Sequence, residues 1–361
     1  MNDRAGASDV DERDAAGDYE VVEQHSIRAP ATTLPLLLSA TVALAVGGLL
    51  VLLVGVSPTA AYAALWRGAF GSRQSIGETL IRFVPLASIG LGLIPALRAG
   101  VFTVGAEGQV AMGALLAGLT ALRLDGLPGI VLIPTAALAG IAGGAAWAFV
   151  PALLRARLHV NEILATLAFN FIGLFTLTWL LNGPARGSAA NLPQTDITPE
   201  HSWLPALISG TRAHIGIVLV ALLALAVLAF DRTAIGYRVR LYGSNPALAN
   251  VAGVSARRLV MGTMLASGMT AGLAGWMQVA GVDRAVYASV TQGIGFVGLL
   301  VAVLGNLTVA GTLVAALFFA ALSSGGEYMQ IEAGVSTQLI GAIQGLALLI
   351  VAARIFQRRQ R

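Results

Sequence analysis

One carboxylate lies inside a largely apolar run at residues 98–118, RAGVFTVGAEGQVAMGALLAG, in which no basic residue follows Arg98. Glu107 lies between Gly105 and Gly108, and Gln109 adds an amide two positions later. A carboxylate at the centre of a bilayer costs about 2.5–3.5 kcal/mol on insertion scales, so an acid there normally faces a protein interior or water. Because glycine adopts conformations that other residues avoid, the chain can bend around Glu107 and bring backbone N–H groups to it. The run therefore predicts a polar site within an apolar segment.

Two roles for this polar site remain open. In the first, Glu107 accepts hydrogen bonds from a neighbouring half-helix and holds a broken segment in place. In the second, Glu107 or Gln109 hydrogen-bonds a polar, uncharged solute. Further candidates for lining a solute path are Asn161, Asn170 and Gln278. Asparagine is also a favoured helix N-cap, which gives Asn161 a purely structural alternative.

The sequence lacks the common motifs of catalysis. All 22 basic residues are arginine, so the chain cannot build a Walker A phosphate loop, which needs a lysine. Residues 293–298, GIGFVG, match a dinucleotide-binding pattern, but no strand precedes them. There is no cysteine, and the four histidines lack metal-ligand spacing. These features predict a protein that is not an enzyme by itself and that uses no cofactor or metal ion.

The composition is that of a multi-pass membrane protein. Hydrophobic residues make up 57% of the 361 residues and charged residues 11%, with a mean hydropathy of +0.80, whereas soluble domains carry about 25% charged residues. The arginines lie singly or in pairs between apolar runs, unlike a nucleic-acid-binding surface. Most of these runs are long enough to cross about 30 Å of hydrocarbon, which takes roughly 20 residues. Two of them, at residues 296–308 and 311–325, are short and broken by glycine, so nine spans are the alternative to ten. We predict an all-α fold of about ten transmembrane helices, at residues 34–56, 79–97, 101–123, 128–150, 162–182, 214–230, 259–281, 296–308, 311–325 and 336–354.

The placement of arginines predicts the orientation. Residues 231–258 contain five arginines and the C-terminus four, so the positive-inside rule places both in the cytoplasm. The loop at residues 183–212 is rich in Pro, Ser and Thr and is expected outside. Residues 1–33, with eight acids and three arginines, predict a disordered cytoplasmic tail. The chain thus divides into this tail, a transmembrane domain at residues 34–354 and a basic cytoplasmic tail at residues 355–361.

Two glycine-rich segments suggest an internal repeat. The first broken segment, residues 103–118, and the second broken segment, residues 291–305, lie five predicted spans apart and so run in opposite directions. Paired interruptions of this kind indicate an inverted repeat with a solute path near the middle of the membrane, because a broken helix exposes backbone donors and acceptors only where it lines a cavity. Glycines also serve close helix packing. We assign most single glycines to packing and the two segments, as units, to the path.

Around the first broken segment the chain resembles the permease subunits of nucleoside and simple-sugar ABC importers, in the branched-chain amino acid and ribose permease group. Phe102, Gly105, Glu107, Gly108 and Gln109 match the family signature F-N-[IV]-G-x-E-G-Q, with threonine at the position of the usual asparagine. Three further matches follow in the family's order: Asn-Glu-Ile at residues 161–163, the cytoplasmic segment at residues 233–254, and GIGFVGLLVAVLG at residues 293–305.

The resemblance implies a division of labour. Two permease subunits, identical or different, form the pathway in the cell membrane. Separate cytoplasmic ATPase subunits hydrolyse ATP, and an extracytoplasmic binding protein delivers the solute; membrane lipid surrounds the assembly. The residues expected along the substrate pathway are Phe102, Gly105, Glu107, Gln109, Asn161, Asn170, Gln278, Gly293, Gly295 and Phe296.

The segment at residues 231–258 is expected to be the loop that couples the permease to the ATPase. Turn residues, among them Gly236, Gly243, Asn245 and Pro246, should precede a helical run at residues 247–259. An ordinary solvated loop that only sets topology is the alternative. The expected coupling residues are Gly236, Arg238, Gly243, Asn245, Ala249 and Gly253.

A nucleoside or purine base is the first choice of solute, because G-x-E-G-Q is the nucleoside-type form of the first motif. Ribose or another simple sugar is the alternative within the family. An ion-coupled secondary carrier would share the broken helices, but it should place several acids or histidines in its spans as a relay. An assembly subunit without a solute path would not need the paired broken segments.

Overall fold

The structure is a computed structural model, and it describes residues 45–188, 192–336, 341, 342 and 345. Apart from loops and two isolated β-bridges, these residues are helical, in agreement with the all-α prediction. The helices are α1 (Ala45–Leu53), α2 (Pro58–Phe70), α3 (Arg73–Arg98), α4 (Ala106–Arg123), α5 (Gly129–Leu158), α6 (Glu162–Asn182), α7 (Gly216–Asp231), α8 (Ala234–Ser244), α9 (Pro246–Val251), α10 (Ala256–Gln278), α11 (Ile294–Leu304) and α12 (Val309–Ala333). A 3₁₀ turn, Glu200–Ser202, precedes α7, and a π-helical turn, Val279–Asp283, extends α10.

Five helices, α3, α5, α6, α10 and α12, are long and apolar enough to cross a membrane. The number rises to seven if the bent pairs α1–α2 and α7–α8 each form one span. The shorter α4 and α11 belong to the two broken segments. The count of ten spans stays a prediction, because part of residues 34–56 and nearly all of residues 336–354 lie outside the described residues, as do the two predicted tails.

Helix α2 is an element that the sequence analysis missed. It turns by 116° from α1 and lies between the first two predicted spans. Gly68 packs against α12, where an added Cβ would lie 2.2 Å from the Cβ of Tyr328. Arg67 forms an ion pair of 2.5 Å with Glu332, which also lies on α12. With 13 residues α2 is too short to span a bilayer by itself, so a search for runs of about 20 apolar residues passes over it.

Helix α3 lies at the centre of the bundle. Val84, Leu91 and Ile94 are completely buried, and α10, α11 and α12 pack around the helix. Residues 83–97 of α3 are apolar on all sides apart from Ser88, which is typical of such an enclosed position. Arg98, at its end, lies at the same end of the bundle as residues 231–255, which we call the basic end. The opposite end carries residues 192–215, and we call it the loop end.

Glycines bring α5 and α10 into backbone contact. Gly140 and Gly144 on α5 face Gly268 and Gly272 on α10, with the four-residue spacing typical of close transmembrane packing. A Cβ added at Gly272 would lie 2.2 Å from the carbonyl oxygen of Gly140. These glycines therefore serve packing, as we assigned most of the glycines.

Replacing Gly144 by valine is expected to prevent the bundle from closing. The new Cβ would lie 2.1 Å from the Gly268 carbonyl oxygen, and a backbone atom cannot move aside as a side chain can. We expect a loss well above the 1–3 kcal/mol that is usual for overpacking, and little monodisperse protein in size-exclusion chromatography. Gly262→Val is the matched control, because a Cβ at Gly262 meets no atom within 4 Å. Equal yields of the two variants would contradict the prediction.

The loop at residues 192–215 folds over the connection between α10 and α11. The Thr198 amide donates to the Arg284 carbonyl at 2.8 Å, and the Leu204 amide donates to the Ala280 carbonyl at 2.9 Å. The Arg284 guanidinium lies 4.0 Å from the centroid of the Trp203 ring, as a cation–π contact. This loop therefore holds the chain that leads into α11.

Candidate functional site

The Glu107 carboxylate lies between the N-termini of two helices. Glu107 is in the first turn of α4 and is only 3% exposed. Its Oε1 accepts a hydrogen bond from the Gly293 amide and its Oε2 one from the Gly295 amide, each at 2.8 Å. Helix N-termini carry partial positive charge and free N–H groups, which suits an anion. The charge is thus compensated by backbone donors, and no ion pair involves Glu107 among the described residues.

The glycines of the second broken segment make this approach possible. Gly293 has φ +83°, a conformation that side-chain-bearing residues rarely adopt. Gly295 packs directly on α4, because an added Cβ would lie 2.3 Å from the Glu107 backbone nitrogen. From this meeting point α4 runs to the loop end, where the Asp125 carbonyl contacts the His201 ring at 3.0 Å. Helix α11 runs to the basic end, so the two half-helices point in opposite directions, as the inverted repeat requires.

Asn170 ties the first broken segment to α6. Its Nδ2 donates to the Val104 carbonyl at 2.8 Å, and its Oδ1 accepts from the Gly108 amide at 2.9 Å. Thr166, one turn earlier on α6, accepts from the Val104 amide at 3.1 Å. Both side chains are buried. Sequence reasoning named Asn170 and missed Thr166, although the four-residue spacing that puts both on one face of α6 is a usable signal.

Gln109 is the other buried polar group of the first motif. It is 1% exposed, and its Oε1 has no hydrogen-bond partner within the described part of the chain. The side-chain amide of Gln109 lies beside Gly105, because a Cβ added at Gly105 would be 3.0 Å from Gln109 Nε2. Most buried polar groups in folded proteins are paired. Gln109 therefore keeps an acceptor free next to the bend.

The remaining residues named for the pathway have different surroundings. Asn161 is the N-cap of α6, and its Oδ1 accepts from the Ile163 amide at 2.9 Å, as the structural alternative expects. Gln278, at the end of α10, donates to Asp283 at 3.2 Å. Phe102 and Phe296 are 42% and 37% exposed, one from each broken segment. The hydrogen bonds of Asn161 and Gln278 are local, and neither joins the network around Glu107.

At the basic end the structure differs from the sequence prediction in two respects, the role of two glycines and the extent of a helix. Gly236 and Gly243 are not turn residues, because both lie inside α8. A Cβ at Gly243 would lie 1.8 Å from the Arg98 carbonyl oxygen, so this glycine lets α8 pack against the end of α3. The sequence could not separate these uses, since glycine serves both turns and close packing.

The expected helical run at residues 247–259 is also wrong in its extent. Helix α9 ends at Val251, and Gly253, with φ +75°, interrupts the run before α10 begins. Asn245 caps α9 by accepting from the Leu248 amide at 2.9 Å. Ala249 is completely buried. Arg238 is exposed on α8.

Arg98 connects three helix ends at the basic end and was not named from the sequence. It forms an ion pair with Asp231 at the end of α7, and its Nε donates at 3.0 Å to the carbonyl of Leu307, just beyond α11. Arg240 of α8 donates to the Asp231 carbonyl at 2.9 Å. Helix α11 is thus held at its start by Glu107 and at its end by Arg98.

Comparisons with known proteins agree with this architecture. The family model described as the permease component of branched-chain amino acid transport systems matches residues 75–352. The chain belongs to this permease family. It is 34% identical over 335 residues to a glucose ABC transporter permease protein of Haloferax volcanii, covering 90% of this chain and 88% of that protein. It is 33% identical to a guanosine ABC transporter permease protein of Bacillus subtilis, covering 88% of this chain and 92% of that protein.

A third relative, a nucleoside ABC transporter permease protein of Lactococcus lactis, is 30% identical, with 85% of this chain and 87% of that protein covered. No solved structure matches the permease significantly. The matched region contains every candidate residue named above. As a member of this family the chain is the transmembrane component of an ABC importer and works with ATPase and solute-binding components. It is a multi-pass membrane protein rather than an enzyme, because ATP hydrolysis belongs to a separate subunit.

Proposed function

We propose that this permease imports a nucleoside or a purine base. The observation that carries the proposal is the meeting of two half-helix N-termini at Glu107. There the Gly293 and Gly295 amides compensate the carboxylate, and the free acceptor of Gln109 lies nearby inside the bundle. Such a site suits a polar, uncharged solute. The relatives named for guanosine and nucleosides support this choice. The relative named for glucose supports a simple sugar as the second candidate.

The solute is tested by uptake into proteoliposomes that contain the permease, its ATPase subunits and its binding protein. We expect ATP-dependent uptake of labelled guanosine or adenosine, which excess unlabelled nucleoside abolishes and excess glucose or ribose leaves unchanged. Uptake of glucose without uptake of nucleosides would establish the sugar alternative. Uptake that follows an ion gradient and ignores ATP would contradict both.

The basic end is proposed to face the cytoplasm of the cell. Residues 231–258 hold five arginines, the largest group in the described part of the chain, and the positive-inside rule places such a loop inside. The loop end then faces the binding protein. Because the chain has no cysteine, single cysteines at Leu248 and Leu192 can report the two sides without a background. An impermeant thiol reagent added to intact cells should label Leu192→Cys and not Leu248→Cys.

Helix α9 is the proposed contact for the ATPase. Leu248 is 53% exposed and Val251 is 87% exposed, while Ala249 between them is buried and anchors the helix to the rest of the protein. Exposed apolar side chains on a short helix outside the bilayer suit a groove on a partner protein. A second permease subunit, identical or different, completes the proposed assembly.

Charging this surface is expected to weaken the ATPase complex. Val251→Asp should lower co-purification of the ATPase about tenfold, equivalent to about 1.4 kcal/mol, because a carboxylate must lose its water on docking. The yield of the permease should stay unchanged, because the exposed Val251 side chain contributes little to the stability of the fold. Ile197→Asp is the matched control, because Ile197 is 67% exposed at the loop end. If both variants retain the ATPase equally, α9 is not the docking element.

Arg98 is proposed to pass movement from the ATPase to the solute path. Its carbonyl contacts Gly243 of α8, and its guanidinium binds the end of α11 at Leu307. The start of α11 in turn binds Glu107. A displacement of α8 by ATP hydrolysis would therefore move α11 as a unit and change the site between the half-helices.

A further inference from the structure

A groove of about 540 Å³ opens between α7 and α10, with α3 as its floor. Leu91 and Pro95 form part of the floor, and Leu223, Val227 and Leu259 are among the apolar side chains on its walls. The lining contains few polar groups for a nucleoside or a sugar. A long apolar chain would fit it better than a polar solute would.

The groove has the length of one membrane leaflet. It begins at the basic end, beside Arg258 at the start of α10, and runs along that helix to Thr270. Twelve residues of α-helix rise about 18 Å, at 1.5 Å for each residue. Half of a hydrocarbon core of about 30 Å is about 15 Å. The groove is therefore long enough to reach from the headgroup level of one leaflet to the middle of the bilayer.

The two threonines in the groove offer little to a polar ligand. Thr263 donates its hydroxyl to the Leu259 carbonyl at 3.0 Å, and Thr270 donates to the Ser267 carbonyl at 2.9 Å. Both hydroxyl protons are therefore used within α10, which leaves the deep part of the groove apolar in effect.

Two arginines stand at the mouth of the groove. Arg238 of α8 and Arg258 of α10 both line it and are both exposed. Within the described residues neither guanidinium forms an ion pair, whereas Arg98 and Arg240 nearby are paired with Asp231. Guanidinium groups bind phosphate oxygens well, and basic pockets between transmembrane helices at the cytoplasmic side bind anionic headgroups. The mouth is therefore complementary to a phosphate at the membrane surface.

We propose that this groove binds one anionic phospholipid. Its phosphate lies between Arg238 and Arg258, and one acyl chain follows α10 past Gly262 towards Thr270. Gly262 leaves the groove open, since a Cβ there meets no atom within 4 Å. The lipid would fill the space between α7 and α10 and fix their separation next to α8. This site is separate from the solute path at Glu107.

The charge requirement is tested by native mass spectrometry of the full-length permease, titrated with phosphatidylglycerol or with phosphatidylcholine of the same acyl chains. We expect one tightly retained phosphatidylglycerol, and about tenfold weaker retention, or about 1.4 kcal/mol, in the double variant Arg238→Gln and Arg258→Gln. The control is Arg232→Gln and Arg257→Gln, which removes the same charge from the same segment outside the groove. Equal retention of the two lipids, or equal loss in the two double variants, would overturn the proposal.

The groove itself is tested by Gly262→Leu, which fills the acyl path and leaves both arginines in place. We expect the same loss of phosphatidylglycerol, with an unchanged melting temperature in phosphatidylcholine. Ala221→Leu adds bulk to an exposed position of α7 outside the groove and should retain the lipid. Retention in Gly262→Leu would show that no acyl chain occupies the groove and would overturn the proposal. Loss of nucleoside binding with full lipid retention would assign the groove to the solute and overturn the proposal.

Discussion

Replacing Glu107 by leucine is expected to destabilise the permease strongly, even in the absence of solute. The substitution leaves the Gly293 and Gly295 amides without acceptors, and an unpaired buried donor costs about 1–3 kcal/mol. The total of about 2–6 kcal/mol is a large share of a typical stability of 5–15 kcal/mol. The thermal melting temperature of the purified permease measures this loss. ATP-dependent uptake should fall to background.

Glu107→Gln separates the structural role of the carboxylate from a role in solute binding. The sequence alone suggests that glutamine leaves folding intact, because it keeps size and hydrogen-bonding capacity. The structure changes this expectation: both carboxylate oxygens accept from N–H groups, and the glutamine NH₂ would face one of these donors. We therefore expect a melting temperature between those of the wild type and Glu107→Leu. Unchanged melting temperatures for both variants, with loss of solute binding alone, would assign Glu107 to the solute.

Replacing Gly243 by alanine or valine is expected to separate the permease from its ATPase. The added Cβ would lie 1.8 Å from the Arg98 carbonyl oxygen, so α8 must move away from the end of α3 and carry α9 with it. Alanine should be nearly as harmful as valine, because the first added carbon makes the clash. Co-purified ATPase should fall by at least about tenfold, or about 1.4 kcal/mol. Solute-stimulated ATP hydrolysis in proteoliposomes should fall in parallel.

Ser244→Val is the matched control for Gly243. It places a β-branched side chain on the next residue of α8, which is exposed. We expect it to retain most ATPase binding. If cysteine labelling shows that Gly243→Val is correctly inserted and its ATP hydrolysis is still fully stimulated, the prediction is wrong. Residues 231–258 would then set the orientation of the permease without coupling it to the ATPase.

The class of protein, the approximate position of most membrane helices and the two broken segments can be predicted from the amino-acid sequence. In a hydrocarbon environment every backbone N–H and C=O group must be hydrogen-bonded within the protein. A long apolar run is therefore expected to form a helix, in which these hydrogen bonds are made within the same segment. The same argument identified Glu107, because an acid without a neighbouring cation must find donors somewhere. The search for long apolar runs did not find α2, because its 13 residues are too few to cross the membrane.

The partners of the buried polar side chains follow from the packing of the helices and could not be predicted from the sequence. The donors to Glu107 lie 186 and 188 residues further along the chain, and Asn170 binds backbone atoms that lie 62 and 66 residues earlier. The sequence named Gly243 for a turn, whereas the fold uses it to let α8 touch α3. These contacts depend on which faces of the helices meet. Helices such as α7 are apolar on nearly every side, so no amphipathic stripe in the sequence reveals the packed face, and small residues and backbone groups decide the contact instead.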